Sequence, residues 1–270
     1  MYETFYGLSA PPFSITPDPR FVYFSRRHRE AFDHLLFGIK ERKGFIQITG
    51  EVGAGKTTIC RTVLEQLRTG YATALILNPV MTGIQLLRAV LHELGQNDRG
   101  NDRVKLLQRL NAFLLEAAQQ DVGVVLFLDE AQDLSEELLE EVRLLSNLET
   151  DDRKLLQIVL LGQPELRDTL DGPALRQLRQ RITVRYHLKP IDRQETEAYI
   201  QHRLAVAGAS GRPTFSRAAV RAIHLRSRGV PRLINAVCDK TLLAGYVEGR
   251  DHLGVRQVWR AVRALAGRGR

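Results

Sequence analysis

The sequence predicts an α/β fold: a five-stranded parallel sheet sandwiched by helices, followed by a small all-helical domain. Three observations carry this expectation. From Phe45 to Leu188, apolar runs of strand length alternate with segments of helical periodicity. Strands that are apolar throughout belong to a parallel sheet covered on both faces. A glycine-rich turn, Gly50 to Gly55, stands where the first of these strands gives way to a helix. After Pro190 the strands stop and only helical periodicities remain, to about residue 265. A chain of 270 residues is long enough for one core and a small second domain.

The elements follow in order. Residues 1–24 hold Pro11, Pro12, Pro17 and Pro19 among the aromatics Phe5, Tyr6, Phe13, Phe21, Tyr23 and Phe24. That many prolines exclude a continuous helix, so the segment is expected to wrap along a core. Ser25 is placed to cap a helix to about Lys40, with Ala31, Phe32, Leu35, Leu36 and Ile39 on one face. Strands are expected at 45–49, 72–77, 122–128, 155–161 and 182–188, and helices at 56–67, 83–94 and 104–120, with helical spacing again from Leu138 to Leu148 and a polar loop at Asp98 to Asp102. Beyond Pro190, helices are expected at 194–207, 215–227, from Pro231 to about Tyr246, and at 255–265, with Pro231 suited to a first helical position. The division is 1–43, an N-terminal Pro/aromatic segment and helix packing on the core; 44–190, the α/β core; 191–265, the helical domain; and 266–270, a basic tail.

Hydrophobic residues make up 44% of the chain and charged residues 26%, ordinary for a globular protein in water. No apolar run approaches the ~20 residues of a membrane helix, and the start lacks the basic-then-apolar pattern of a secretory signal. Cys60 and Cys238 lie far apart in apolar helical contexts and read as buried, reduced thiols of a cytoplasmic protein. The net charge of +8 permits a polyanionic partner without demanding one. The basic residues are scattered, from Arg26, Arg27 and Arg29 through Arg217 to Arg232 and on to Arg268 and Arg270.

Gly50-Glu51-Val52-Gly53-Ala54-Gly55-Lys56-Thr57, followed by Thr58, satisfies G-x-x-x-x-G-K-[ST] between an expected strand and an expected helix. The glycines let the backbone curl so that successive N–H groups face phosphate oxygens, and the helix N-terminus adds positive potential. In such a loop, Lys56 reaches the β- and γ-phosphates of ATP and Thr57 offers its hydroxyl to Mg²⁺. The apolar run 124–128 delivers Asp129 to a strand's C-terminal end, where it is expected to hold Mg²⁺ directly or through water, and Glu130 beside it is the natural general base. The acidic residues Asp133, Glu136, Glu137, Glu140 and Glu141 suit the solvated start of a helix. Because the strand 72–77 falls between the two motifs, another strand is expected between the Gly50 strand and the Asp129 strand.

This layout, with a catalytic Glu and a trailing helical domain, resembles the AAA+ ATPases. Within them the chain resembles the general secretion pathway A (ExeA/GspA-like) family, which includes ATPases of pilus and exopolysaccharide-export systems. The resemblance rests on Tyr6-Gly7-Leu8, Pro12-Phe13, Pro17-Asp18-Pro19, Phe21 to Ser25, His28, Glu30-Ala31 and Gly44-Phe45. It continues in Asp129 to Gln132, Leu161 to Leu166, Gln180-Arg181-Ile182 and Gly229 to Asn235, and so covers essentially the whole chain.

Several expectations follow from the resemblance. Asn78 is the polar residue able to hold the catalytic Glu in an inactive pose. Gln163 is sensor 1, Arg232 is sensor 2 on the helical lid, and Arg181 is an arginine finger offered to a neighbouring subunit on an outer face. The implied ligands are ATP or ADP with Mg²⁺. The implied partners are further copies of the chain and a protein of a membrane-associated export or pilus system. Longer family members continue into a membrane segment and a periplasmic domain, and the resemblance here is to the short cytoplasmic members, recruited to the inner face of a membrane by a partner. A DNA-associated AAA+ protein of the transposition-regulator or initiator type is the alternative. It shares Gly-x-Pro-Arg and the basic charge, but no helix-turn-helix extension is evident. A nucleotide-binding regulator with negligible turnover is a third reading, opposed by Glu130 and Gln163.

Overall fold

The computed structural model describes residues 1–14, 18–97, 100–150 and 153–266. In chain order the elements are α1 (Tyr2–Tyr6), α2 (Arg26–Lys40), β1 (Phe45–Gly50), α3 (Lys56–Gln66), β2 (Tyr71–Ile76), α4 (Gly83–Glu93), α5 (Arg103–Gln119), β3 (Gly123–Leu128), α6 (Glu136–Leu145), β4 (Leu156–Gly162), α7 (Pro164–Asp171), α8 (Arg176–Arg181), β5 (Ile182–Leu188), α9 (Arg193–Val206), β6 (Thr214–Phe215), α10 (Arg217–Ser227), α11 (Pro231–Val247), β7 (His252–Leu253) and α12 (Val255–Leu265). They form two compact units. One comprises His28–Gly50 and Lys56–Leu188, the other Met1–Arg27, Glu51–Gly55 and Lys189–Arg270.

The first unit is built on a parallel sheet of order β2-β3-β4-β1-β5. Every residue of β1 and of β4 is buried, and in β3 all but Gly123 are. Both faces are covered, which is why β3 reads as a continuous apolar run, while β1 and β4 bury Gln47, Thr49 and Gln157 among their apolar residues. The expected strands agree with the observed ones to within a residue at each end. A strand does separate β1 from β3, as expected, but it is not the one whose position in sequence suggested it. The strand between β1 and β3 is β4, whereas β2 is an edge strand paired only with β3. The position of β2 in sequence, between the two motifs, says nothing about its place across the sheet. It pairs with β3, the next strand in the chain. The helices α7 and α8 were not expected. Each is short, with Pro164 in the first turn of α7 and several charged residues in both.

The second unit is mainly helical. Tyr2, Tyr6, Leu8, Phe13 and Phe21 share one buried cluster with Ile200, Ile223, Ile234, Cys238, Leu253 and Val258. Tyr6 donates from its hydroxyl to the carbonyls of Leu242 and Arg250, each at 3.1 Å, and Ser9 Oγ donates to the Ala207 carbonyl at 3.0 Å. Residues 1–27 group with the helical unit and residues 28–43 with the α/β unit. The aromatics of this segment cannot bury themselves, and the helices supply the apolar faces that cover them.

The expectation that strands end at Pro190 needs correction. β6 and β7 pair in parallel, Thr214 with His252 and Phe215 with Leu253. Two residues per strand are too few to leave an alternation in the sequence, and Ser216 caps α10 directly after β6, accepting from the amide of Ala219. Cys60 and Cys238 are both buried and unpaired, and burial pushes both thiols well above their usual range. Among the described residues, no helix is long and apolar enough to cross a membrane. Pro17, Asp98 and Arg99 of the polar loop, and the tail residues 267–270 with Arg268 and Arg270, lie outside the described residues.

Phe127 is fully buried at the middle of the sheet, level with Leu75 on one side and Val159 on the other. Phe127→Ala is expected to destabilise the protein by about 3–5 kcal/mol, the transfer loss plus an unfilled cavity. Urea unfolding would read this as a lowered midpoint at unchanged slope. A loss below about 1 kcal/mol would mean that the neighbours collapse into the space.

Candidate active site

Parallel strands bring their C-terminal ends to one edge, and the sequence motifs leave from those ends. The loop after β1 requires backbone that only glycine adopts readily: φ is +76° at Gly53 and +105° at Gly55. Gly50 is needed for a different reason, since a Cβ there would lie 2.7 Å from the Leu188 carbonyl oxygen of β5. Ala54 closes the loop by donating its amide to the Glu51 carbonyl at 3.0 Å. Glu51 and Val52 are exposed at its outer side.

Lys56 begins α3. Its side chain is buried, and Nζ donates to the Gly50 carbonyl at 2.7 Å, folding the ammonium back over the loop. Thr57 Oγ1 donates to Asp129 Oδ2 at 2.7 Å. Thr58 is half-buried, and its carbonyl accepts from Thr62 within α3. Asp129 is buried, and its amide donates to the Ile76 carbonyl at 3.0 Å, extending the β2–β3 ladder by one bond. The hydroxyl of Thr57 and the carboxylate of Asp129 are thus converged at the first turn of α3, a hard-oxygen pair that fits a small divalent cation such as Mg²⁺.

Glu130 has φ +53°, the left-handed region that few side chains other than Asn and Asp enter without cost. Its amide donates to Asp129 Oδ1 at 3.0 Å. Its Oε2 accepts from Gln132 Nε2 at 3.0 Å and, over a longer 3.4 Å, from Gln163 Nε2. Gln163 stands directly after β4, at the residue before α7, and its side chain makes no capping hydrogen bond to that helix. The structure therefore brings Lys56, Thr57, Asp129, Glu130 and Gln163 together at the sheet edge. Asn78, two residues beyond β2, also has positive φ, +52°, but its side chain is exposed and Glu130 is held from the β4 side instead.

Gln132 is the site residue that sequence reasoning passed over. It stood within the Asp129 to Gln132 signature, and nothing in its spacing distinguishes a bridging amide from a solvated one.

The arginines divide. Arg232 lies one residue into α11; its amide donates to the Gly53 carbonyl at 3.3 Å, and its side chain is exposed. A Cβ at Gly53 would come within 2.4 Å of Arg232 Cβ, so the glycine also permits this approach. Arg181, at the end of α8, is half-buried: it donates to Ser146 Oγ at 2.6 Å and to the Arg143 carbonyl at 3.5 Å. Arg176 and Arg179 of the same helix are exposed, Arg179 near Asp171.

A phosphate-binding loop leading into a helix, with a second motif at the end of a nearby parallel strand, defines a P-loop protein of the AAA class, and residues 39–170 match the AAA domain family. The chain belongs, more narrowly, to the AAA proteins like general secretion pathway protein A. It is 48% identical to that protein of Aeromonas hydrophila over 250 residues, 92% of this chain. It spans 46% of that relative's length, about half. Solved structures similar in fold include the ORC2 protein of Aeropyrum pernix, with a TM-score of 0.64 and 17% identity over 94% of this chain and 71% of that one. Cdc6p of Pyrobaculum aerophilum gives a TM-score of 0.70 with 16% identity over 94% of this chain and 70% of that one. The RuvB Holliday junction branch migration motor of Thermotoga maritima gives 0.57 with 20% identity over 88% and 69%. At these identities the three speak for the fold alone.

Proposed function

We propose that the chain binds and hydrolyses Mg-ATP, as an oligomeric assembly or regulatory ATPase of a secretion, pilus or polysaccharide-export system, on the cytoplasmic side of a membrane. The single observation that carries the hydrolytic reading is the 2.7 Å contact between Thr57 Oγ1 and Asp129 Oδ2, with Glu130 next to it. It joins the two motifs at one point, as in-line phosphoryl transfer requires. The system is read from the 48% identity to general secretion pathway protein A.

Mg²⁺, when bound, supplies charge neutralisation at the β- and γ-phosphates. The remaining work falls to the chain. Amides of residues 50–58 and the Lys56 ammonium hold phosphate oxygens. Thr57 and Asp129 are the metal's protein ligands. Glu130 takes a proton from water that Gln163 helps to orient, and Arg232 adds positive charge at the γ-phosphate. In this reading Asn78 offers Glu130 an alternative, inactive partner. Arg181 supplies charge to the neighbouring subunit's site, with Arg176 and Arg179 as the other arginines of α8 able to do so.

Lys56→Ala is expected to lose tight nucleotide binding, measured by calorimetric titration with a slowly hydrolysed ATP analogue; unchanged affinity would remove Lys56 from the phosphate site. Glu130→Gln is expected to bind ATP as the parent does and to turn over ~10²–10⁴-fold more slowly, the usual cost of a lost general base. Parent turnover in that variant would show that another group takes the proton. A finger supplied in trans contributes ~10³–10⁵ in rate, so Arg181→Ala should also be inactive. Mixing Arg181→Ala with Glu130→Gln should then restore part of the activity, because some interfaces join an intact Glu130 to an intact Arg181. If the two variants co-assemble and the mixture stays inactive, Arg181 is not the finger.

A further inference from the structure

We propose that Gln132 is the positioning residue of the Glu130 carboxylate: it holds one carboxylate oxygen, ties it to the end of β4, and leaves the other oxygen facing the reacting water. The inference rests on the reading of Glu130 as general base and adds a residue to it. Glu130 follows β3 in a left-handed conformation, and a single turn of 3₁₀-helix, Ala131–Asp133, folds the chain back so that Gln132 lies between the ends of β3 and β4. There its side-chain amide is used at both ends. Nε2 donates to Glu130 Oε2 at 3.0 Å, and Oε1 accepts from the Gln163 backbone amide at 2.9 Å.

Chemistry fixes the orientation of this amide. A backbone N–H can only donate and an ionised carboxylate can only accept. The carbonyl of Gln132 must therefore face Gln163 and its NH₂ must face Glu130. A flipped amide would set donor against donor and acceptor against acceptor. The strand end also leaves room for it: a Cβ at Gly162 would stand 3.1 Å from Gln132 Oε1.

The second consequence concerns Glu130 itself. Gln132 and Gln163 both donate to Oε2, and Glu130 Oε1 has no hydrogen bond among the described residues. One oxygen is anchored and the other is free to accept from water. Because the anchor is bonded to the backbone of Gln163, a movement at the end of β4 is transmitted to the carboxylate. Gln163 thus acts on Glu130 through its backbone and Gln132 as well as through its own side chain.

Two substitutions separate this role from a structural tie. Gln132→Met keeps length and volume and removes both hydrogen bonds. Gln132→Glu keeps an acceptor for the Gln163 amide and sets a second carboxyl against Glu130, so that the bond to Glu130 survives only while the pair holds a proton. Both are expected to lower kcat about 10²-fold, the cost of a misplaced catalytic group. Nucleotide affinity should be preserved, read by titration with a slowly hydrolysed ATP analogue. Parent kcat in Gln132→Glu across the pH profile, up to where both carboxyls are ionised, would mean that only the tie to β4 matters, and would overturn the proposal even if Gln132→Met failed to fold. A fall in kcat matched by an equal fall in affinity in Gln132→Met would overturn it too. Glu130→Gln, measured alongside, separates the two ideas: if it turns over at the parent rate, the reading of Glu130 as base fails by itself. If it is slow while the Gln132 variants are fast, only the positioning role fails.

Discussion

The hydroxyl of Thr57 meets the carboxylate of Asp129 across 72 residues of chain, and the remainder of the α/β unit can be understood as what makes that meeting possible. β1 and β3 are not neighbours; β4 lies between them. Strands in a sheet stand about 4.8 Å apart, so the ends of β1 and β3 are separated by about 10 Å. No loop side chain at the end of β1 spans that gap by itself. Thr57 in the first turn of α3 closes it, with its hydroxyl 2.7 Å from Asp129 Oδ2. The connections from the adjacent strands β1 and β4 then leave in opposite directions, to β2 at one edge and to β5 at the other. A crevice opens where neighbouring connections diverge in this way, and it is where ligands of open α/β sheets are found. The residue at the floor of that crevice is whatever follows β4, and here it is Gln163.

Much of this was legible because its causes are local. The strands are largely apolar since both faces are covered, and the loop needs glycine at Gly53 and Gly55 for their positive φ, so both leave a mark on composition. Lys56, Thr57, Asp129 and Glu130 could be named from spacing for the same reason. What stayed hidden was set by distant packing. The lateral place of β4 depends on pairings that no segment encodes alone. The use of Tyr2, Tyr6 and Phe13 against the helical unit depends on apolar faces some two hundred residues away, as the bond from Tyr6 to Leu242 illustrates. Gln132 was hidden differently. Its role exists only once the β3 and β4 ends are level, because its two partners lie on either side of it in space, and one of them is 31 residues away.

The positive charge illustrates a similar limit. A surplus of 39 Lys and Arg over 31 Asp and Glu invites the expectation of a polyanionic partner. Yet several arginines are turned on the protein's own carbonyls. Arg153 donates to the Ala118 carbonyl at 2.6 Å, Arg185 to that of Arg179 at 2.6 Å, and Arg27 to that of Pro190. Arg203 is the fullest case: it is buried, donates to the Pro12 carbonyl and to the Tyr199 hydroxyl, and lies over the ring of Phe21, 5.1 Å from its centroid. A guanidinium suits this use because it keeps its charge, is weakly hydrated, and offers five donors in a rigid plane. Carbonyls at the ends of helices and loops have no ladder partner, and an arginine satisfies them without a matching carboxylate. Part of the surplus therefore arises from arginines chosen as donors rather than as charges. Of these four only Arg203 is buried, and Arg185 is exposed, as are Arg217, Arg221 and Arg263 of α10 and α12. A neutral carbonyl does not cancel the charge of the guanidinium it binds, so these bonds fix where the cation stands and leave the +8 itself unchanged.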